Sequence, residues 1–97
     1  MTARPQAKAA VQADNERVRV TEWRFAPGAE TGFHVHGMDY VVVPLVTGRL
    51  MLVAPDGTES FADLKAGGSY FRKSGVHHNV VNANDFDYAF VEIELKG

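Results

Sequence analysis

All four histidines of the chain fall in two short segments, His34-Val35-His36 and His77-His78. Imidazole suits Zn, Cu, Fe and Ni as a ligand, and its charge changes near neutral pH. In an extended strand, residues i and i+2 point to the same face, with Cβ atoms roughly 6–7 Å apart, so His34 and His36 can reach one ion together. A third ligand must then come from another strand. His77 and His78 are adjacent, so a strand sends them to opposite faces and only one of them can join the pair. An isolated His-x-His pair is more often two surface histidines than a metal site, so the neighbouring residues decide. The chain has no cysteine, which excludes thiolate zinc sites, iron–sulfur clusters, a cysteine nucleophile and a disulfide framework.

Strands are the elements able to bring such residues together. From Arg17 onward, short runs of Val, Tyr, Phe and Thr alternate with Gly, Pro, Asn and Asp. They predict strands over Arg17–Phe25, Gly32–His36, Tyr40–Val46, Arg49–Ala54, Glu59–Phe61, Ser69–Arg72, His77–Asn82 and Asp87–Leu95. Pro55-Asp56-Gly57 has the composition of a tight turn, and Thr47-Gly48, between two apolar runs, predicts a hairpin. In the last run Ala89, Val91, Ile93 and Leu95 share one face, and Phe90, Glu92 and Glu94 the other. No segment beyond Arg17 keeps a 3.6-residue apolar period. Eight short strands suit a barrel or jelly roll, which closes or doubles its edges. Residues 1–16 are rich in Ala and Gln and carry no clear period. They are expected to form a flexible N-terminal arm, with room for a short helix near Lys8–Ala13, ahead of a barrel domain over 17–97.

Composition narrows the function classes. The 97 residues carry 10 basic against 12 acidic side chains, a net charge of −2, so no basic face for nucleic acid is expected. The same balance removes the polybasic attraction to anionic membranes. With 45% apolar and 23% charged residues, the chain is too apolar for intrinsic disorder. No run of eighteen apolar residues occurs, and the start lacks the apolar core of a secretory signal, so a cytoplasmic protein is expected.

The spacing around the histidines is specific. Gly28, five residues, His34, one residue, His36 and then a stretch ending at Gly48 form one block. Gly67, five residues, Lys73, one residue, Gly75, two residues, His78, three residues and Asn82 form a second. These blocks resemble the two motifs of the cupin superfamily, G-x5-H-x-H-x3,4-E-x6-G and G-x5-P-x-G-x2-H-x3-N. The resemblance implies an all-β, single-domain jelly-roll or double-stranded β-helix barrel. It also implies a metal site built from His34, His36 and His78. Two departures stand out. The glutamate position of the first motif falls on Val41, or on Tyr40 in its shorter spacing, and the proline of the second is Lys73. Whether Asp39 or Tyr40 replaces the glutamate is left open by the spacing. The stretch HVHGMDYVVVPLVTGRL and the VEIELK ending further resemble small cupins linked to bacterial β-alanine breakdown.

Three neutral imidazoles leave a divalent transition metal (Fe, Zn, Ni, Mn or Cu) with its full formal charge and an open position, which favours a small anionic ligand. The implied function is a metal-dependent enzyme of the dioxygenase, isomerase or lyase class acting on a small carboxylic or oxo acid. The alternative is a non-catalytic binding or sensory protein, motivated by the missing glutamate. Tyr40 is a candidate catalytic group if its hydroxyl turns inward to meet a metal-bound water or substrate. Otherwise it is a packed tyrosine. Arg72 shares a face with Tyr70 and, turned inward, would hold a substrate carboxylate in a fork of hydrogen bonds. Turned outward, it is a solvated arginine. A homodimer is expected, because small barrels leave edge strands and apolar patches to cover.

Overall fold

The alternation within each strand sets its inner face. In 39–44, Tyr40, Val42 and Pro44 are buried, while the residues between them are only half-buried. In a computed structural model describing residues 3–97, this and similar strands build two antiparallel sheets. The strands are β1 (Lys8–Asp14), β2 (Val18–Phe25), β3 (His34–Val35), β4 (Asp39–Pro44), β5 (Gly48–Val53), β6 (Glu59–Leu64), β7 (Tyr70–Arg72), β8 (His77–Asn82) and β9 (Tyr88–Leu95). One sheet runs β1-β2-β9-β4-β7 and the other β3-β8-β5-β6. Their facing surfaces enclose a core of Phe25, Tyr40, Val42, Leu50, Val80, Tyr88 and Phe90, joined by Ala7 and Ala29. The Phe25 and Phe90 rings lie 5.4 Å apart across the β2–β9 pair. No helix among the described residues is long and apolar enough to cross a membrane.

Two local expectations need correction. Residues Lys8–Asp14 form no helix. They are strand β1, paired antiparallel with β2 from Lys8↔Arg24 to Asp14↔Arg19, with a bulge between Val11 and Ala13. Before it, the backbone of residues 5–7 is tied to Glu30 by Glu30 N to Pro5 O and Ala7 N to Glu30 O, at 2.9 and 2.8 Å. The unpaired edge of β2 supplies the hydrogen-bonding groups that outweigh the weak helical preference of an Ala-rich stretch. The second correction concerns Thr47-Gly48, which makes no hairpin. β4 lies in the five-stranded sheet and β5 in the four-stranded one, so the chain crosses between sheets there. Pro55-Asp56-Gly57 does close a hairpin: Gly57 N donates to Ala54 O at 2.9 Å, Thr58 N donates to Asp56 Oδ1 at 2.9 Å, and Gly57 has φ 89°.

At the crossover the backbone must come close to its neighbours. A Cβ on Gly48 would meet Asn84 Oδ1 at 2.9 Å and Tyr88 Cε1 at 3.0 Å. Asn84 is held by Arg49, accepting from its N and donating to its O, both at 2.9 Å, so it cannot swing aside freely. Gly48→Ala is therefore expected to destabilise the fold by about 1–3 kcal/mol, the usual range for overpacking. A lowered urea midpoint with an unchanged slope would show it.

Candidate metal centre

The three histidines of the motifs converge by strand register. His34 on β3 is the direct cross-strand partner of His78 on β8, and His36 lies two residues along from His34 on the same face. His34 Nε2 to His36 Nε2 is 2.9 Å, and His36 Nε2 to His78 Nε2 is 3.3 Å. Donor atoms bound to one ion at about 2.1 Å lie roughly 3.0–3.4 Å apart in octahedral or tetrahedral arrangements, so the spacing fits a shared cation. The donor atoms of all three lie within 4.8 Å of one another. His77 points the other way, is exposed, and meets the Phe33 ring edge-on at 6.2 Å.

The surrounding backbone holds these rings. His34 Nδ1 lies 2.8 Å from Gly32 O, a carbonyl that can only accept, so the proton sits on Nδ1 and the Nε2 lone pair is free for a metal. Gly32 N donates to Asn79 Oδ1 at 2.9 Å, and Asn79 Nδ2 donates to Glu30 Oε1 at 2.8 Å, which ties the loop before His34 onto β8. His36 N donates to Val76 O at 2.9 Å and Gly75 N to His36 O at 2.7 Å. The turn of the second motif thus grips the strand end of the first. Tyr40 stacks on His36 with ring centroids 3.9 Å apart and an interplanar angle of 17°.

One residue that the sequence pattern did not single out joins the site. Glu92, on the inner face of β9, stands directly between Thr21 and Val42 in the register. Its Oε1 is 3.7 Å from His36 Nε2, and its side chain is only 12% exposed. The face of β9 carrying Phe90 and Glu92 is therefore the inner one, and the Val91 and Ile93 side faces outward. The only sequence signal for this was a pair of glutamates on an otherwise apolar alternating strand.

Two cavities adjoin the histidines, and Glu92 lines both. The inner one, about 20 Å³, is bounded by Tyr40, Tyr70, Arg72, His78, Glu92 and apolar core residues. That volume is close to the space for one water. The Tyr40 hydroxyl is buried without a hydrogen-bond partner among the described residues. Arg72 accordingly faces inward, beside Tyr40 and His78. The outer cavity is a mouth of about 330 Å³ leading past His34 and His36, walled on the far side by Val11 of β1 and by Arg19, Thr21 and Trp23 of β2.

Burial sets the protonation states. It pushes the His36 imidazole down to about 4, helped by the nearby His34 and Arg72 charges. The same cause, with His34, His36, Arg72 and His77 adding to it, pushes His78 down to about 3. Both are neutral at pH 7, the form that binds metal. Burial raises the Glu92 carboxyl to about 7, with Glu94 adding to the rise and a Trp23 hydrogen bond opposing it. It also raises the Tyr40 phenol to about 12, which leaves the hydroxyl intact as a donor.

In metal-free protein these shifts have opposite signs. The two histidines take up protons more readily when unfolded, so stability falls as pH drops from about 6.5 towards 4. Glu92 takes up its proton more readily when folded, so its contribution is full below about 4.5 and is lost as pH rises through about 7. Two groups outweigh one, and chelated protein is expected to lose stability between pH 6.5 and 4.5. Glu92→Gln should steepen that loss. Urea midpoints in the presence of a chelator check both; a flat profile for the unmutated chain contradicts the burial of neutral imidazoles.

No protein-family model matches the chain. Over 96 residues it is 60% identical to the "Beta-alanine degradation protein BauB" of Pseudomonas aeruginosa, spanning 99% of this chain and 100% of that one. The crystal structure of a cupin domain from Bordetella pertussis is 56% identical, with a TM-score of 0.96 and full coverage of both chains. The chain is a cupin. A double-stranded β-helix protein from Klebsiella pneumoniae, 22% identical with a TM-score of 0.77, covers all of this chain and 83% of its own and shares the fold.

Within this cupin, the residues nearest the absent motif glutamate take other places. Val41 pairs with Ile93 and Phe71 and is turned away from the core face of β4. Asp39 Oδ1 accepts from Ser74 N at 2.8 Å and so fastens the second-motif turn. Tyr40 lines the inner cavity. The cupin's Lys73, where the motif has proline, is exposed at that turn. Asn82 at the motif's end is a buried turn anchor, donating to Phe25 O, Ala26 O and Phe86 O.

Proposed function

We propose that this cupin is a metal-dependent enzyme acting on a small carboxylic or oxo acid within β-alanine degradation. The observation that carries the reading is the convergence of three Nε2 atoms, at 2.9 and 3.3 Å, from the buried His36 and His78 and the half-buried His34, whose Nδ1 contact with Gly32 O leaves its Nε2 free. The name of the 60% identical relative supports the substrate class. A bound divalent ion supplies Lewis-acid or oxygen-activating chemistry and an open position. The chain's own groups do the rest. The mouth admits a molecule of a few heavy atoms past Arg19, Thr21 and Trp23. The inner cavity accepts no more than one small group of it, beside the Tyr40 hydroxyl and Arg72. A carboxylate seated there would meet a cation and a neutral donor together. His34, His36 and His78 keep their lone pairs directed at one point, and the core side chains Val42, Leu50, Leu52 and Val80 keep bulk water out.

Metal analysis of protein purified without an affinity tag, followed by assays on small oxo acids derived from β-alanine, tests this. Stoichiometric metal and a turnover that disappears in His36→Ala are expected. Metal with tight acid binding and no turnover would favour a sensory or binding role instead, and no metal at all would remove the reading.

We also propose a cytoplasmic homodimer. Val20, Ile93, Val41 and Phe71 are successive cross-strand neighbours on the outer face of the five-stranded sheet, with Phe71 52% exposed. Light scattering at micromolar concentration should give twice the chain mass.

A further inference from the structure

We propose that Glu92 supplies, from the last strand, the carboxylate ligand that the first motif lacks, so that the centre is built from His34, His36, His78 and Glu92. This rests on the metal reading above and names a ligand that the sequence motifs do not contain. Three observations support it. The Glu92 Oε1 lies 3.7 Å from His36 Nε2, and a single ion about 2.1 Å from each atom is geometrically possible at an angle near 120°. Glu92 is on the inner face of β9 and is the residue shared by the linings of the inner cavity and the mouth, beside the histidines. And this buried carboxylate has no lysine or arginine within ion-pair distance among the described residues; its one such neighbour is His36. A buried carboxyl stays ionised at low cost only when paired with a cation or bound to a metal, and is otherwise driven toward its protonated form. An ion held by the three imidazoles would be that cation.

As placed, the Glu92 carboxylate groups with His36 and Glu94 rather than with His34 and His78, so ligation of the three-histidine ion requires its side chain to turn toward them while its backbone stays between Thr21 and Val42. Its neighbour in the same acidic face, Glu94, sits opposite Arg19 and Tyr40 and brings a carboxylate oxygen within 4.8 Å of His36 and Glu92, so it is the rival acidic ligand that the test must separate. The chemical consequence is specific. Three imidazoles leave the ion at its full formal charge, whereas a bound carboxylate removes one unit and weakens the pull on an anionic ligand. The site would then discriminate more by the shape of the mouth and by Arg72 than by raw charge.

Cobalt(II) tests the assignment, because its visible absorption reports the ligand set as well as occupancy. The full chain, Glu92→Gln and Glu94→Gln are each titrated with Co2+ at pH 7.5 against a competing chelator. Glu92→Gln is expected to bind at least about 10-fold more weakly and with shifted visible bands, while Glu94→Gln stays within about threefold with unchanged bands. Unaltered bands in Glu92→Gln, at whatever affinity, would overturn direct ligation. So would a loss in Glu94→Gln equal to that in Glu92→Gln, which marks a general charge effect. Should Glu92→Gln fail to fold, Glu92→Asp takes its place: shifted bands support the assignment and unshifted bands defeat it. If the unmutated chain binds no Co2+, the metal reading itself fails, which is a different result from identical binding by chain and variant.

Discussion

His78→Ala is expected to leave a folded protein that no longer gains thermal stability from added transition metal. An ion present at 100 times its dissociation constant stabilises the native state by about 2.7 kcal/mol. For a domain near 100 residues, each kcal/mol moves the melting temperature by about 4–8 °C, so the unmutated chain should rise by about 10–20 °C. His78 faces His36 Nε2 at 3.3 Å and His34 across the strand pair, so its removal takes away one corner of the donor triangle. The remaining His34–His36 pair should bind more than 10–100-fold more weakly, the range seen when only a supporting partner of a ligand is lost. Differential scanning with and without Zn2+ or Co2+ measures this. An equal rise in variant and parent would mean that the metal binds elsewhere.

Asn82→Ala should be the most damaging single substitution outside the core. The side chain is 2% exposed. Its Nδ2 donates to Phe86 O at 2.9 Å and is shared between Ala26 O at 3.2 Å and Phe25 O at 3.3 Å. Its Oδ1 accepts from Asn84 N at 2.9 Å and Asn84 Nδ2 at 2.7 Å. Truncation leaves several buried backbone groups without partners, each at about 1–3 kcal/mol, for a total of about 3–5 kcal/mol. That is a large share of a typical domain's 5–15 kcal/mol. Asn82→Asp keeps the acceptor but loses both donors, and should fall nearly as far. Urea midpoints order the three proteins, and a loss below 1 kcal/mol for alanine would contradict the anchoring role.

Most of the fold is legible because its signals are local. The strands from β2 to β9 lie within a residue or two of the apolar runs that predict them, apart from the shorter β3 and a longer β6. The donor triangle is legible through the glycine and histidine spacings, which encode a two-strand register and the turns that set it. β1 is not legible, since Ala, Gln and Lys carry no strand preference and every residue of it is exposed. What makes it a strand is the free edge of β2, a tertiary fact. Glu92 was hidden for a related reason. On β9 the more apolar face, with Val91 and Ile93, is the outer one, so hydrophobicity alone points the wrong way. Burial of Glu92 follows only once Tyr40, His36 and Trp23 surround its position.

The cross-strand partnership of His34 with His78 also bears on how the protein assembles. Those two residues are far apart along the chain, and a pairing of such distant segments closes late and slowly. An ion can therefore meet only the local His34–His36 pair before β3 docks on β8, and it grips fully once the shell has closed. Metal should leave the refolding rate almost untouched and act on escape, lengthening the lifetime of the closed state.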